Sequence, residues 1–217
     1  MTQPLVKKTA DYVQKKLCND PTGHDWHHVE RVWKIAKQLQ KEEGGDLEII
    51  ELAALLHDLG DYKQHQFDEV KGLLVLRGMM DVLEIEEACQ EKIMKIVEEA
   101  QYAGDSTVPP STLEGKIVRD ANWLDVLGAV GIARVFAIGG SIGRAIYDPE
   151  RKPRKKLTRL DYQRKKKEGT SLNYFYEKVL KLPDMMYTKT AKKLAAGRAQ
   201  FVEKFIEQFL AEWGGKK

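Results

Sequence analysis

Five histidines occur in the 217 residues, at positions 24, 27, 28, 57 and 65. Three fall within "GHDWHHVERVWKIA", and a fourth opens the pair His57-Asp58 at the end of the apolar run in "AALLHDLGDY". Imidazole and carboxylate together suit Mn, Fe, Ni, Co or Zn. The position of Asp58 sharpens that reading. The run before it has the composition of a core helix, and a carboxylate at a helix C-terminus meets the negative end of the macrodipole. A divalent cation would repair the mismatch and would also account for the adjacent histidine. Such a site needs a second histidine from another helix and a fourth ligand from a third. Each residue also has a plainer use: a histidine as a hydrogen-bonded surface group, Asp58 as a carboxylate that merely closes a helix.

The elements that would position these groups are helical. Apolar residues recur at helical spacing along most of the chain, and no run alternates apolar and polar residues between hairpin turns. Leu5, Thr9, Tyr12, Val13 and Leu17 suggest a first helix, ended by Asn19, Asp20, Pro21 and Gly23. A second runs from about Asp25 to Glu43, with Val29, Val32, Trp33, Ala36 and Leu39 inward and Gly44-Gly45 as its stop. Asp46 is a candidate N-cap for the third helix, with Glu48 near its positive end. That helix closes at His57-Asp58.

Further helices are expected near Glu69–Met80 and Glu86–Tyr102. Ser111 is read as the cap of the long stretch "LEGKIVRDANWLDVLGAVGIARVFAIGG", in which Gly128 and Gly131 mark a bend or tight packing. From Gly139 to Gly169 the pattern fades into a long loop with room for one short helix. "SLNYFYEKVLKL" is helical again, and the last helix buries Leu194, Phe201, Val202, Phe205, Phe209 and Leu210. The fold class is an all-α bundle.

Composition bounds the rest. Thirty-six basic and 33 acidic side chains leave a net charge of +3, too little to make nucleic acid the main expected partner. Cys18 and Cys89 form no CxxC and read as reduced core residues, which makes a cytoplasmic setting the default. "MTQPLVKKTADYVQKK" has no signal-peptide pattern, and the most apolar segment, Val126 to Ile142, is too short and too broken to span a bilayer, so no membrane partner is expected.

Four blocks in order carry a resemblance. "HVERV" at 28–32, "LLHDLGD" at 55–61, "VRDANWLDVLGAVGIAR" at 118–134 and the later "LNYFYEKVLKLPDMMYTKTAKKLA" resemble the HD-domain superfamily of metal-dependent phosphohydrolases. The match is to small bacterial members reading HDxxHxxRV, then HDI or HDL with a further aspartate, then DADRLDAxGAIGIAR, then HFYEKLLKL. The resemblance covers nearly the whole chain. It implies one HD-domain helical bundle over 1–217, with a metal-site part to about 140, a basic loop to about 169 and C-terminal helices from about 170 to 214.

Carried over by register, the resemblance implies one divalent ion (Mn, Mg, Fe, Ni, Co or Zn) held by His28 rather than His27, and by His57 and Asp58. The fourth position departs from the pattern. Asn122 stands where a carboxylate is expected and Trp123 where an arginine is. Asn122 can offer a carbonyl oxygen but no charge. Asp120 should point to a different side of the helix, and Asp125 could help through water. Trp26 and Trp123 flank the ligand positions and could wall the site or simply be buried.

Arg31, three residues after His28, is a candidate phosphate clamp or the partner of an acid such as Glu30 or Glu51. Asp61 could orient the attacking water or a ligand histidine, and Lys63 could reach phosphate. The implied activity is hydrolysis of a phosphate ester or anhydride, with a nucleotide as the small phosphorylated substrate and a nucleoside triphosphate pyrophosphatase as one form of it. A non-catalytic module that binds nucleotide or metal through a weakened site is the alternative.

Residues 151–167 hold ten basic residues against Asp161 alone. They read as a solvated loop or as a lid supplying charge to a polyphosphate. Nucleic-acid binding is the lesser reading, because no helix-turn-helix or stacking pattern accompanies them. The oligomeric state is open.

Overall fold

The computed structural model describes residues 4–17, 23–59, 69–100, 102–158, 161 and 168–216. Among them the chain is all-α. The helices are α1 (Pro4–Lys16), α2 (Trp26–Glu43), α3 (Leu47–Leu56), α4 (Glu69–Val82), α5 (Glu87–Glu99), α6 (Leu113–Leu124), α7 (Gly128–Ser141), α8 (Ser171–Glu177) and α9 (Lys189–Trp213). The remaining regular pieces are short 3₁₀ turns and one isolated parallel bridge between Ala145 and Thr170. No single described helix is long and apolar enough to cross a membrane.

The chain forms two compact units, one made of residues 1–102 and 107–122, the other of 103–106 and 123–217. The first is built around α3. Every residue of α3 from Ile49 to Leu56 is buried, Glu51 included. A helix apolar on all sides is stable in water only when other helices surround it, and α1, α2 and α5 all pack on α3. Its start is set by Asp46, whose carboxylate accepts from the backbone N–H of Glu48 and Ile49. α2 begins the same way, with Asp25 accepting from the His28 N–H, and closes at Gly44. The cap at Asp46 and the stop at Gly44 lie where the sequence places them, and Asp25, the expected start of α2, is its cap.

Trp33 differs from its expected core position. It follows buried Val32 by about 100° of helical rotation and is half-buried. Its Nε1 donates to Glu51 Oε1 at 3.0 Å, and Lys37 Nζ lies 5.1 Å from its ring centre. The cap of α6 also differs. Thr112 Oγ1 accepts from the Gly115 N–H at 3.0 Å, while Ser111 donates from its N–H and its hydroxyl to Glu99 Oε2. The capping role moves one residue along, and Ser111 ties the loop to α5.

The second unit packs α9 and α8 against α7. Phe136, Phe175, Phe205 and Phe209 form one aromatic cluster, with ring centroids 5.9 to 6.2 Å apart. The two glycines do what their spacing suggests. Gly128 opens α7 with φ 74°, and a Cβ on Gly131 would sit 2.1 Å from the Val126 carbonyl oxygen. On α9 the buried face is Ala191, Ala195, Val202 and Ile206. Phe201 and Leu210, expected in that stripe, are 51% and 36% exposed. Phe201 precedes Val202 and Leu210 follows Phe209, so each is rotated about 100° from the packed face.

Residues 145–158 are fastened to α8. The N–H groups of Ser171 and Leu172 donate to the carbonyls of Ala145 and Ile146, and Asn173 Nδ2 donates to the Arg151 carbonyl. Arg154 donates to buried Glu177 from its backbone N–H, Nε and Nη2 at 3.0, 3.0 and 2.7 Å. The first part of the basic loop is thus anchored. Of its remaining residues only Asp161 is described, and its carboxylate accepts from the Thr158 hydroxyl at 2.7 Å.

Candidate metal centre

Four side chains of the first unit meet where the start of α2 faces the end of α3: His24, His28, His57 and Asp58. His28 is on the first turn of α2, His57 is the C-cap of α3, and Asp58 follows in the turn closed by the Leu59 N–H on the Leu56 carbonyl. His28, His57 and Asp58 are 1%, 4% and 3% exposed. His28 Nε2 is 3.5 Å from Asp58 Oδ2, His57 Nε2 is 3.3 Å from Asp58 Oδ1, and the two Nε2 atoms are 3.3 Å apart. His24 Nδ1 lies 3.4 Å from Asp58 Oδ2. One ligand atom each from His24, His28 and Asp58 fall within 4.8 Å of one another.

These separations suit a shared cation better than direct hydrogen bonding. A good N–H···O bond spans about 2.7–3.2 Å. Donors on a tetrahedral ion with bonds of about 2.1 Å stand about 3.4 Å apart. The tautomer of His57 points the same way. Its Nδ1 is 2.8 Å from the Ala54 carbonyl, which can only accept, so Nδ1 carries the hydrogen. In the neutral ring Nε2 is then a bare lone pair aimed at His28 Nε2. A lone pair facing a second ring nitrogen at 3.3 Å suits a shared proton or metal.

Burial by itself would raise the Asp58 carboxyl. His57, His28 and His24 in that order, with a hydrogen bond from His24, outweigh it and hold the carboxyl well below the usual carboxylate range. The donor set therefore fits a divalent ion: buried imidazoles and one ionised carboxylate, oriented before any ion arrives.

Of the residues singled out from the sequence, His28, His57 and Asp58 come together. Arg31 is half-buried on α2, about one turn beyond His28, and Asn122 is half-buried near the end of α6. Asp120 is fully buried on α6. Asp125 is committed elsewhere: its Oδ2 accepts from Arg134 Nη1 at 3.0 Å. Asp61, Lys63 and His65 lie outside the described residues. Trp123 is buried and Trp26 half-buried. His27 points away, its side chain 72% exposed. The residue that sequence reasoning passed over is His24. Its one signal was its place at the head of the HDxxH block, four residues before His28.

Comparison with known proteins agrees with this architecture. The HD domain family matches residues 25–127. The Bacillus subtilis protein YpgQ is 34% identical over 210 residues, covering 94% of this chain and 91% of YpgQ. A Lactobacillus plantarum protein of known structure superposes with a TM-score of 0.87 at 35% identity, covering 99% of both chains. An HD-superfamily hydrolase from Bacillus thuringiensis superposes with a TM-score of 0.71 at 41% identity over 96% of each chain. YpgQ has also been crystallised in complex with ADP. That structure gives a TM-score of 0.73 at 28% identity over 98% of this chain and all of that one.

Proposed function

The chain belongs to the HD-domain family, and from that membership we propose that it is a metal-dependent phosphohydrolase cleaving a phosphate anhydride of a nucleotide. The form we favour releases pyrophosphate from a nucleoside triphosphate. The observation that carries the reading is the buried convergence of His28, His57 and Asp58 at 3.3 to 3.5 Å. A relative crystallised with ADP supports a nucleotide as the substrate class.

When bound, a divalent ion would polarise a phosphoryl oxygen and acidify a water molecule. The chain's own residues do the rest. The Ala54 carbonyl holds the His57 ring with Nε2 free to ligate. Asp25 caps α2 on the His28 N–H at 2.9 Å and so fixes the turn that carries the His28 ring. Asn122 contributes a neutral carbonyl oxygen. Arg31 clamps phosphate oxygens through its planar fork, and Lys63 adds a point charge beside them. Asp61 accepts the proton of the attacking water. Phosphoryl transfer depends mainly on such positioning and on positive charge around the phosphate.

Asn122 favours one second reading, a module that binds nucleotide or metal without turnover because the uncharged amide weakens the site. One experiment separates the two. The purified protein is incubated with a panel of nucleoside triphosphates and each of Mn, Mg, Fe(II), Co, Ni and Zn, beside Asn122→Asp, and pyrophosphate and monophosphate are quantified. The hydrolase reading expects both products in stoichiometric amounts with at least one ion. Metal binding with no turnover by either form would leave the binding module.

A further inference from the structure

A fourth side chain lies against the His28, His57 and Asp58 group. His24 Nδ1 approaches Asp58 Oδ2 at 3.4 Å, within the same 3.3–3.5 Å range as the contacts among His28, His57 and Asp58. Its ring lies edge-on to that of His28, with centroids 5.9 Å apart, much as His28 lies against His57 at 5.3 Å. His24 precedes the N-cap Asp25, so its backbone is outside the helix and its ring can reach back over Asp58. Its side chain is 31% exposed, which places it at the outer edge of the buried group. Its neighbour His27 is turned outward beside Glu30 at 4.0 Å. Of the two histidines next to His28 in this block, packing selects one for the site and excludes the other.

We propose that His24 is a ligand of the metal, giving this chain a donor set of three imidazoles and one carboxylate. The inference rests on the metal-binding reading of the site and deepens it. With a single carboxylate the donor set carries one negative charge. Carboxylate-rich sets suit Mg and Mn, whereas imidazole-rich sets suit Fe(II), Co, Ni and Zn. The chain should therefore prefer the later metals.

The test uses the full chain without substrate. Zinc-edge X-ray absorption of the wild-type Zn form should show three imidazole ligands; two would overturn the proposal. Calorimetric titration with Zn and Mn should show Zn affinity falling about 10- to 100-fold or more in His24→Gln, and unchanged in His27→Gln. Equal affinity for wild type and His24→Gln would overturn the proposal, provided circular dichroism shows both folded. The double variant His24→Gln with Asn122→Asp should lower the Zn-to-Mn affinity ratio by about tenfold or more. Failures remain distinguishable. Three imidazoles on Zn with no nucleotide cleaved refutes the hydrolase reading alone. Cleavage by a protein showing two imidazoles refutes the role of His24 alone.

Discussion

Two buried carboxylates, one in each compact unit, differ in what faces them. Asp125 is 2% exposed and meets Arg134 Nη1 at 3.0 Å, while Arg198 Nη1 donates to the carbonyl of neighbouring Leu124. Asp58 is 3% exposed, and among the described residues the chargeable groups acting on it are three imidazoles. A guanidinium is a permanent cation, so Asp125 is neutralised by the fold itself. An imidazole, unlike a guanidinium, can also offer a ring nitrogen to a metal ion. A carboxylate with its own arginine is structure, whereas one ringed by imidazoles is fitted to receive a cation from solution.

The largest effect should come from exposing that difference. Asp58→Asn should lower metal affinity by at least about 100-fold in calorimetry. Asp125→Asn should leave the affinity of the folded fraction unchanged. The reverse experiment is nearly as large. Arg134→Leu removes the guanidinium paired with a buried carboxylate and should cost about 3–5 kcal/mol in urea unfolding, most of it recovered when Asp125→Leu is added. Full recovery of stability by metal instead would blur the distinction between the two centres.

Saturating metal should then stabilise the wild type by about 2.7 kcal/mol at a hundred times its Kd. EDTA should abolish the gain, and Asp58→Asn should not show it. A smaller effect is acid-dependent. The Asp58 carboxyl is held below its ordinary value in the fold. In the metal-free protein its contribution is therefore complete above the unfolded value of about 3.9 and is lost as pH falls through the lower folded value. Urea midpoints at pH 5 and pH 3 should show the wild type losing more stability than Asp58→Asn. The smallest expected change is outside both centres: Thr112→Ala should cost about 1 kcal/mol as a lost cap, and Ser111→Ala less.

Much of this was legible before any coordinates. Asp25, Asp46 and Gly44 act within one turn of their own position, so their roles could be read from the residues themselves. The core helix α3 is apolar on nearly every side, which only enclosure by other helices can satisfy. His28, His57 and Asp58 were legible through the order of the blocks that contain them. Other features were not. Whether Phe201 is buried depends on which arc of α9 faces α7, and periodicity alone left the two flanks equivalent. Ser111 and Thr112 are both good caps, and the choice was settled by Glu99, twelve residues away from Ser111.

The sequence by itself determined an all-α chain, where α2 and α3 start and where α2 stops, and that imidazoles and a carboxylate occur in helix-terminal positions. These follow from interactions a few residues long. Only the tertiary structure decided that His24 rather than His27 approaches Asp58, since the two are separated by 34 positions and meet through the packing of α2 on α3. It alone decided that Asp125 is matched by Arg134 while Asp58 meets imidazoles. Local chemistry names the groups, and packing between helices sets which of them share a dry space where charge must be balanced.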